Sequence, residues 1–467
     1  MRIHLVISQF AIQADLQFTQ IIESAKKCVV GQDSVMAIVC DRLLTSTCEY
    51  SNWLVNSEGE KSDPSEVCRV CENFTFDTLS VTGIQSVKNL SDVVGHEKAA
   101  HVSDENLDLE HYFKANSTIF DIVFNSFATE FKIATDFQFD ELSITEISRL
   151  RSYIGSAEVL FEGFKRFFAA ENIASIHMFN GRFLAYRAAL LAARVLKIPT
   201  FVYERGQQAK PILMFGESAT FQTVSAADKV KNNLFPYNFS ESLLLRQNYL
   251  INRTVGNTHY AFTQSPRERE VEEILTAAGG RKIVSVYTSS DYEYMEFQGM
   301  SLDRSGCLFE NQKDFLLWIS DVCSRSLNIY YVIRIHPNEG RRSQSKRIGE
   351  SSYTKWIMAE IGYSRPNLRV IHPDENMSSY SILSISSLCM AYGSTIALEA
   401  SQLGIPSVVV GEAIYRLSGS VKTCSSISEL EELATCQRTF SKDELLERGR
   451  KAWVVDAALS VFAIWNN

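Results

Sequence analysis

Short apolar runs alternating with amphipathic stretches set the rhythm of this chain. Residues 3–8 read as a first strand, 15–28 as a helix and 35–40 as a second strand, the opening of a parallel α/β unit. From residue 44 to about 106 the pattern loosens. Polar runs and Pro64 there predict an irregular insertion with short helices. Residues 107–134 regain helical spacing. Ser143-Ile-Thr-Glu146 is a capping box and predicts a long amphipathic helix reaching Ala170. A strand over 173–179 follows, then the turn Asn180-Gly181-Arg182, a helix over 183–197 and a strand over 199–203 that ends in Glu204-Arg205-Gly206. Residues 207–270 are mixed, with a strand or two in 215–224 and an aromatic helical stretch from 227.

The second half begins the rhythm again. A helix over 268–278 is stopped by Gly279-Gly280. A strand over 282–287 leads into Thr288-Ser289-Ser290-Asp291-Tyr292-Glu293. After a helix over 315–326, a strand over 329–335 ends in Arg334-Ile335-His336-Pro337-Asn338-Glu339. A short strand (367–371), a helix (378–386), a buried strand (388–392), a helix opened by Ser394 and Thr395, and a strand (405–410) follow in turn. Terminal helices cover 427–433 and 442–462. The expected fold class is α/β, with two Rossmann-like βα domains facing a central cleft. The first spans 1–255, with its boundary in the polar stretch 252–267, and the second spans 256–440. Residues 441–467 form a terminal helix.

A chain of 467 residues exceeds one ordinary core, which agrees with two domains. Its 45% apolar and 22% charged residues are those of a soluble globular enzyme. A formal charge of −9 with no basic stripe argues against nucleic-acid binding. No apolar run approaches the roughly 20 residues of a membrane span, and the opening IHLVISQFAI is a poor signal peptide. A cytoplasmic location follows. Peripheral contact with the inner face of a membrane through a helix at 150–170 is the alternative, although Arg149, Arg151, Lys165 and Arg166 suit a solvated face equally. The ten cysteines form no repeating framework. Cys68 and Cys71, with Cys40 and Cys48 upstream, raise the question of zinc, but their irregular spacing favours free thiols.

Candidate chemistry gathers in the second domain. The strand–Gly393-Ser394-Thr395–helix unit is a phosphate cradle: free N–H groups and two hydroxyls at the positive end of a helix dipole. Glu399, one turn in, would accept bonds from a ribose. Pro337 keeps His336 extended at a strand's carboxyl end, and Arg334 shares that face of the strand. Cradle, His336 and Arg334 would together stabilise a departing phosphate. Asp291 or Glu293 would orient an acceptor, and Glu204 would be the general base reaching from the first domain. Asn180, Arg182 and Arg205 share its rim as acceptor contacts. No DxD at a strand end and no HExxH occurs, so no catalytic metal and no cofactor beyond a nucleotide-sugar donor are expected.

These residues carry a resemblance. Arg-Ile-His-Pro-Asn at 334–338, and Gly-Ser-Thr through Glu-Ala at 393–400 followed by Gly-Ile-Pro at 404–406, resemble the GT-B glycosyltransferases of bacterial surface polysaccharides, above all the capsule-polysaccharide synthesis proteins with their β-Kdo transferases. The resemblance covers 282–416 well, 173–206 weakly and 44–165 not at all. It implies that His336, Ser394 and Thr395 hold the donor phosphate and that Glu204 is the acidic base. The relatives carry two acids before a glycine where this chain has Glu204-Arg205-Gly206, a departure that bears on both the base and a CMP donor. The implied activity is inverting, metal-independent transfer from a CMP- or UDP-sugar to a capsule or lipopolysaccharide glycan, lipid-linked or free. A CDP-glycerol-type polyol-phosphate transferase, a sugar-nucleotide 2-epimerase and a non-enzymatic scaffold of a polysaccharide assembly complex are the alternatives on the same fold.

Overall fold

The computed structural model describes residues 2–9, 15–48, 63–95, 107–134, 137–205, 212–215, 239–256, 268–292, 307–340, 351–363, 365–413 and 415–461. Its first sheet contains β1 (Ile3–Ser8), β2 (Ser34–Val39), β3 (Ser86–Asn89), β4 (Ile173–Phe179), β5 (Thr200–Arg205) and β6 (Ile212–Phe215), in the order β3-β2-β1-β4-β5-β6. The first five run parallel, and β6 closes the edge antiparallel to β5. Every residue of β1 is buried, as expected of a central strand covered on both faces. Leu5, Ile7, Ile176, Met178 and Val202 meet the helices Ile144–Ala170 and Leu184–Val195 on one face. Val6, Ala37, Val39 and Tyr203 meet Phe18, Ile21 and Ile22 of the helix Asp15–Lys27 on the other. The Ser143–Glu146 capping box forms as expected.

The expected irregular insertion at 44–106 is ordered in its described part. Asp63 caps a helix Pro64–Thr82 with its side chain, and Gly83 ends it at φ 68° with its N–H on the carbonyls of Leu79 and Ser80. Pro64 is therefore a helix start, where a missing N–H costs nothing, and not a breaker. The segment continues into β3, a strand of the sheet itself.

The second sheet holds β7 (Lys282–Tyr287), β8 (Ile329–Arg334), β9 (Leu368–Ile371), β10 (Leu388–Ala391) and β11 (Ser407–Val409), all parallel, in the order β11-β10-β7-β8-β9. Counted from its own first strand, each sheet reads third, second, first, fourth, fifth. That is the Rossmann order, in which the chain reverses its direction of growth between the first and fourth strands. The two-domain α/β expectation holds.

One boundary moves. The helix Phe239–Thr254, assigned by sequence to the first domain, packs on the second through Leu250. Arg246 on it pairs with Asp456 at 2.7 Å on the terminal helix Lys442–Val461, and Gln402 donates to the same carboxylate at 2.7 Å. The lobes meet where Lys132 of the first donates to Gly340 O of the second at 2.7 Å, beside Ala134, which sits in the second lobe's core. Of the large apolar side chains on the helix Ile144–Ala170 only Ile144 is mostly exposed. Arg149 pairs with Glu130, Lys165 with Glu162, and Arg166 donates to Val94 O. Among the described residues no helix is long and apolar enough to cross a membrane.

Candidate functional site

In the second sheet the switch point falls between β7 and β10. Ligands of open parallel sheets bind beyond the carboxyl ends of the strands at that point, because the two flanking loops turn away from each other and leave a crevice. The loops there are Thr288–Asp291 after β7 and Tyr392–Thr395 after β10, with His336 two residues beyond β8 next to β7. Sequence reasoning chose these residues, and the topology brings their strand ends to one rim.

The loop after β7 is fastened to the end of β8. His336 N–H donates to Thr288 Oγ1 at 2.8 Å, and Asp291 N–H donates to Glu339 Oε1 at 2.7 Å. Asn338 N–H donates to His336 Nδ1 at 3.2 Å, so Nδ1 carries the lone pair and the Ser290 hydroxyl, 3.0 Å away, donates to it as well. The proton of the neutral ring therefore sits on Nε2, a donor suited to a phosphate oxygen. Burial, then the charges of Arg334 and Arg253, push this imidazole down to about 4. At neutral pH it acts as an uncharged hydrogen-bond donor.

The cradle is built as expected at backbone level. The helix it opens, Ile396–Gln402, starts at Thr395, whose side chain is not spent as a cap. The Tyr415 hydroxyl donates to Ser394 O and steadies the turn. Gly411, at the end of β11, donates to Tyr392 O at 2.7 Å, and a Cβ there would lie 2.4 Å from that oxygen. Only glycine lets the two strand ends close up beside the cradle.

Three placements differ from the sequence reading. Glu399 is buried and engaged: Oε1 lies 3.3 Å from Arg253 Nη1, and the Tyr380 hydroxyl donates to Oε2 at 2.7 Å. Arg334 is buried, and its guanidinium caps the carbonyls of His372 (2.6 Å) and Glu375 (3.4 Å) in the turn after β9, so it reaches His336 through its field. Asp291, read as one of two acids that would orient an acceptor, is buried beside Glu339. Burial, with Asp291's charge adding to it, raises the Glu339 carboxyl to about 8. Burial also lowers Lys132, from the other lobe, to about 8 against the opposing pull of Glu339 and Asp374.

Arg253 and Glu339 were missed. Arg253 lies on the helix Phe239–Thr254, pairs with Glu399 on the cradle helix and depresses His336, so it bears on both halves of the rim. Burial opposes its charge, yet Glu399 holds it above the ordinary arginine range. Its sequence neighbours Ile251, Asn252, Thr254 and Val255 form no motif that marks it. Glu339 was legible solely as the third residue after His336.

In the first lobe the switch point lies between β1 and β4. Asn180, at φ 63°, accepts from Arg182 N–H at 3.2 Å through Oδ1, and Arg182 lies over the Phe183 ring. Glu204 and Arg205 are the last two residues of β5, paired with Leu213 and Ile212; their side chains and all of Glu293 lie outside the described residues. No three of Cys40, Cys48, Cys68 and Cys71 approach within 4.8 Å of one another, and none is in a disulfide. A cavity of about 370 Å³ lined by Gly279–Lys282, Asn328 and Cys436 opens at the amino ends of β7 and β8, the rim opposite these residues.

No family profile and no curated protein sequence matches the chain. Solved structures that resemble it include the β-Kdo 2,4 transferase of Thermosulfurimonas dismutans KpsC, at 14% identity over 60% of this chain and 80% of that one, TM-score 0.36. The UDP-GlcNAc 2-epimerase of Neisseria meningitidis bound to UDP-GlcNAc matches at 13% identity, 99% and 97% coverage and TM-score 0.29. The spinosyn rhamnosyltransferase SpnG matches at 10%, 99% and 97%, with TM-score 0.27. Likeness this shallow carries no functional argument.

Proposed function

We propose that this chain is a nucleotide-sugar-dependent glycosyltransferase of GT-B type that works by inversion and without a catalytic metal. The observation that carries the proposal is the rim between β7 and β10, where a neutral His336 stands across from the Gly393–Thr395 turn and the half-buried Arg253, paired with Glu399 on the cradle helix, acts on His336 through its charge. A sugar–nucleotide bond breaks by departure of a phosphate, and fixed donors around that phosphate supply the stabilisation the reaction needs. His336 Nε2–H, the hydroxyls of Ser394 and Thr395, and the field of Arg253 would serve the donor. Glu204 at the end of β5 would take the proton of an attacking hydroxyl, with Asn180, Arg182, Arg205, Asp291 and Glu293 toward the acceptor. The donor is a CMP- or UDP-sugar and the acceptor a growing capsule or lipopolysaccharide glycan. Purified protein is incubated with radiolabelled CMP- and UDP-sugars, with and without capsule oligosaccharides. Nucleotide release that requires the oligosaccharide and labels it without phosphate supports transfer. Interconversion of the sugar nucleotide with no acceptor makes the enzyme a 2-epimerase and overturns the reading.

A further inference from the structure

On the first sheet, away from the nucleotide rim, potential ligands from three elements meet. His4 stands in β1, His177 in β4 and Cys28 just past the helix Asp15–Lys27, and one ligating atom of each lies within 4.8 Å of the others. β1 and β4 are neighbours with His4 opposite Ser175, so strand alternation puts His4, Ser175 and His177 on one face. His4 Nδ1 and His177 Nε2 face Ser175 Oγ from either side, at 2.7 and 2.8 Å. Each ring has an oxygen beside its other nitrogen: Asp33 Oδ2 lies 3.7 Å from His4 Nε2, and the Tyr203 hydroxyl 2.8 Å from His177 Nδ1. A ligating imidazole is held in the way His177 is, with an oxygen hydrogen-bonded behind the ring fixing its tautomer and orientation, while Asp33, itself held by Arg2, stands just beyond that distance from His4. Both rings are buried and Cys28 is half-buried, which leaves a path from solvent.

We propose that His4, Cys28 and His177 bind a zinc-class transition-metal cation, with the Ser175 hydroxyl or a water completing four-coordination. Two imidazoles and a thiolate suit zinc, whereas magnesium and calcium take oxygen ligands. Binding releases the Cys28 proton to solvent and changes no oxidation state. The ion pins the end of the helix Asp15–Lys27 to β1 and β4. The sequence hid the site because its ligands are separated by whole elements and form no motif.

The full chain, stripped with a chelator and kept reduced, is titrated with Co²⁺ and then Zn²⁺. One equivalent of cobalt giving a thiolate charge-transfer band and tetrahedral d–d bands, displaced by zinc, is the expected result, with a melting point that rises with free zinc. Cys28→Ser loses the charge-transfer band. Asp33→Asn, outside the ligand set, weakens cobalt binding about 10–100-fold. In the unaltered protein, zinc slows alkylation of Cys28 at least about tenfold, since only the free thiolate reacts, and this readout survives a variant that fails to fold. A folded protein with no band, a band untouched by Cys28→Ser, or alkylation of Cys28 indifferent to zinc overturns the proposal.

Discussion

Changing Glu399 to glutamine separates the structural part of the candidate rim from its binding part. The Glu399 side chain is 6% exposed and that of Arg253 25%, and they lie 3.3 Å apart. Glu399→Gln keeps the shape and an acceptor for Tyr380 but leaves the guanidinium without its counter-charge. Removing one partner of a fully buried pair costs about 3–5 kcal/mol. Water reaches a quarter of Arg253, so about 2–3 kcal/mol is expected here. Arg253→Met combined with Glu399→Gln removes both charges and recovers most of that loss, because a buried pair is close to break-even against apolar replacement. Nucleotide affinity follows a different course. With Arg253 serving the donor phosphate, the double variant binds as weakly as Arg253→Met alone, about 10- to 100-fold below the parent, the effect of one charged hydrogen bond. Urea unfolding and calorimetric titration of each variant supply both quantities. Stability and affinity recovering together would reduce Arg253 to a strut. A double variant no more stable than Glu399→Gln would show that the two charges are not coupled.

The remaining expectations concern other parts of the fold. His336→Asn lowers kcat of sugar transfer by about 100- to 1,000-fold, as loss of one preorganised donor does, while near-ultraviolet circular dichroism stays unchanged. Because burial and two arginines hold His336 down at about 4, the unfolded chain takes up its proton first, near pH 6.5. Its stabilisation is complete above that pH and is lost as the pH falls toward 4, by at most about 1.4 kcal/mol per pH unit; urea midpoints of His336→Asn should show a flatter profile in that window. Asp456→Ala strands the buried Arg246 and costs about 3–5 kcal/mol in the same assay, whereas Asp443→Ala on the exposed start of the same helix changes little.

Much of the scaffold was legible because burial writes it directly into the chain. β4, β7 and β8 are apolar runs bounded by polar turns, and the Ser143–Glu146 box marks its helix start to the residue. The helix at Pro64–Thr82 was misread because proline and a polar composition signal a loop unless the residue before the proline is recognised as a cap. β3 is a short edge strand with two exposed residues and carries little apolar signal. The site was legible in its local part, since a Gly-Ser-Thr turn after a strand and a histidine fixed by proline are contiguous patterns. What no local pattern contains is partnership at a distance. Glu399 was read as a free carboxylate because its partners Arg253 and Tyr380 lie on other helices, and Arg334 was given to the ligand because the turn that occupies it comes after another strand.

The central claim is that the carboxyl rim between β7 and β10 binds the phosphate of a nucleotide. A melting screen of the unaltered chain with CMP, CDP, UDP, GDP and ADP, repeated on a variant carrying His336→Asn, Ser394→Ala and Thr395→Val, addresses it most directly. A nucleotide at 100 times its dissociation constant stabilises by about 2.7 kcal/mol, so one or two of the five should raise the melting point by several degrees in the parent and by none in the triple variant. Five nucleotides without effect on the parent, or a shift that persists in the triple variant, would contradict the account.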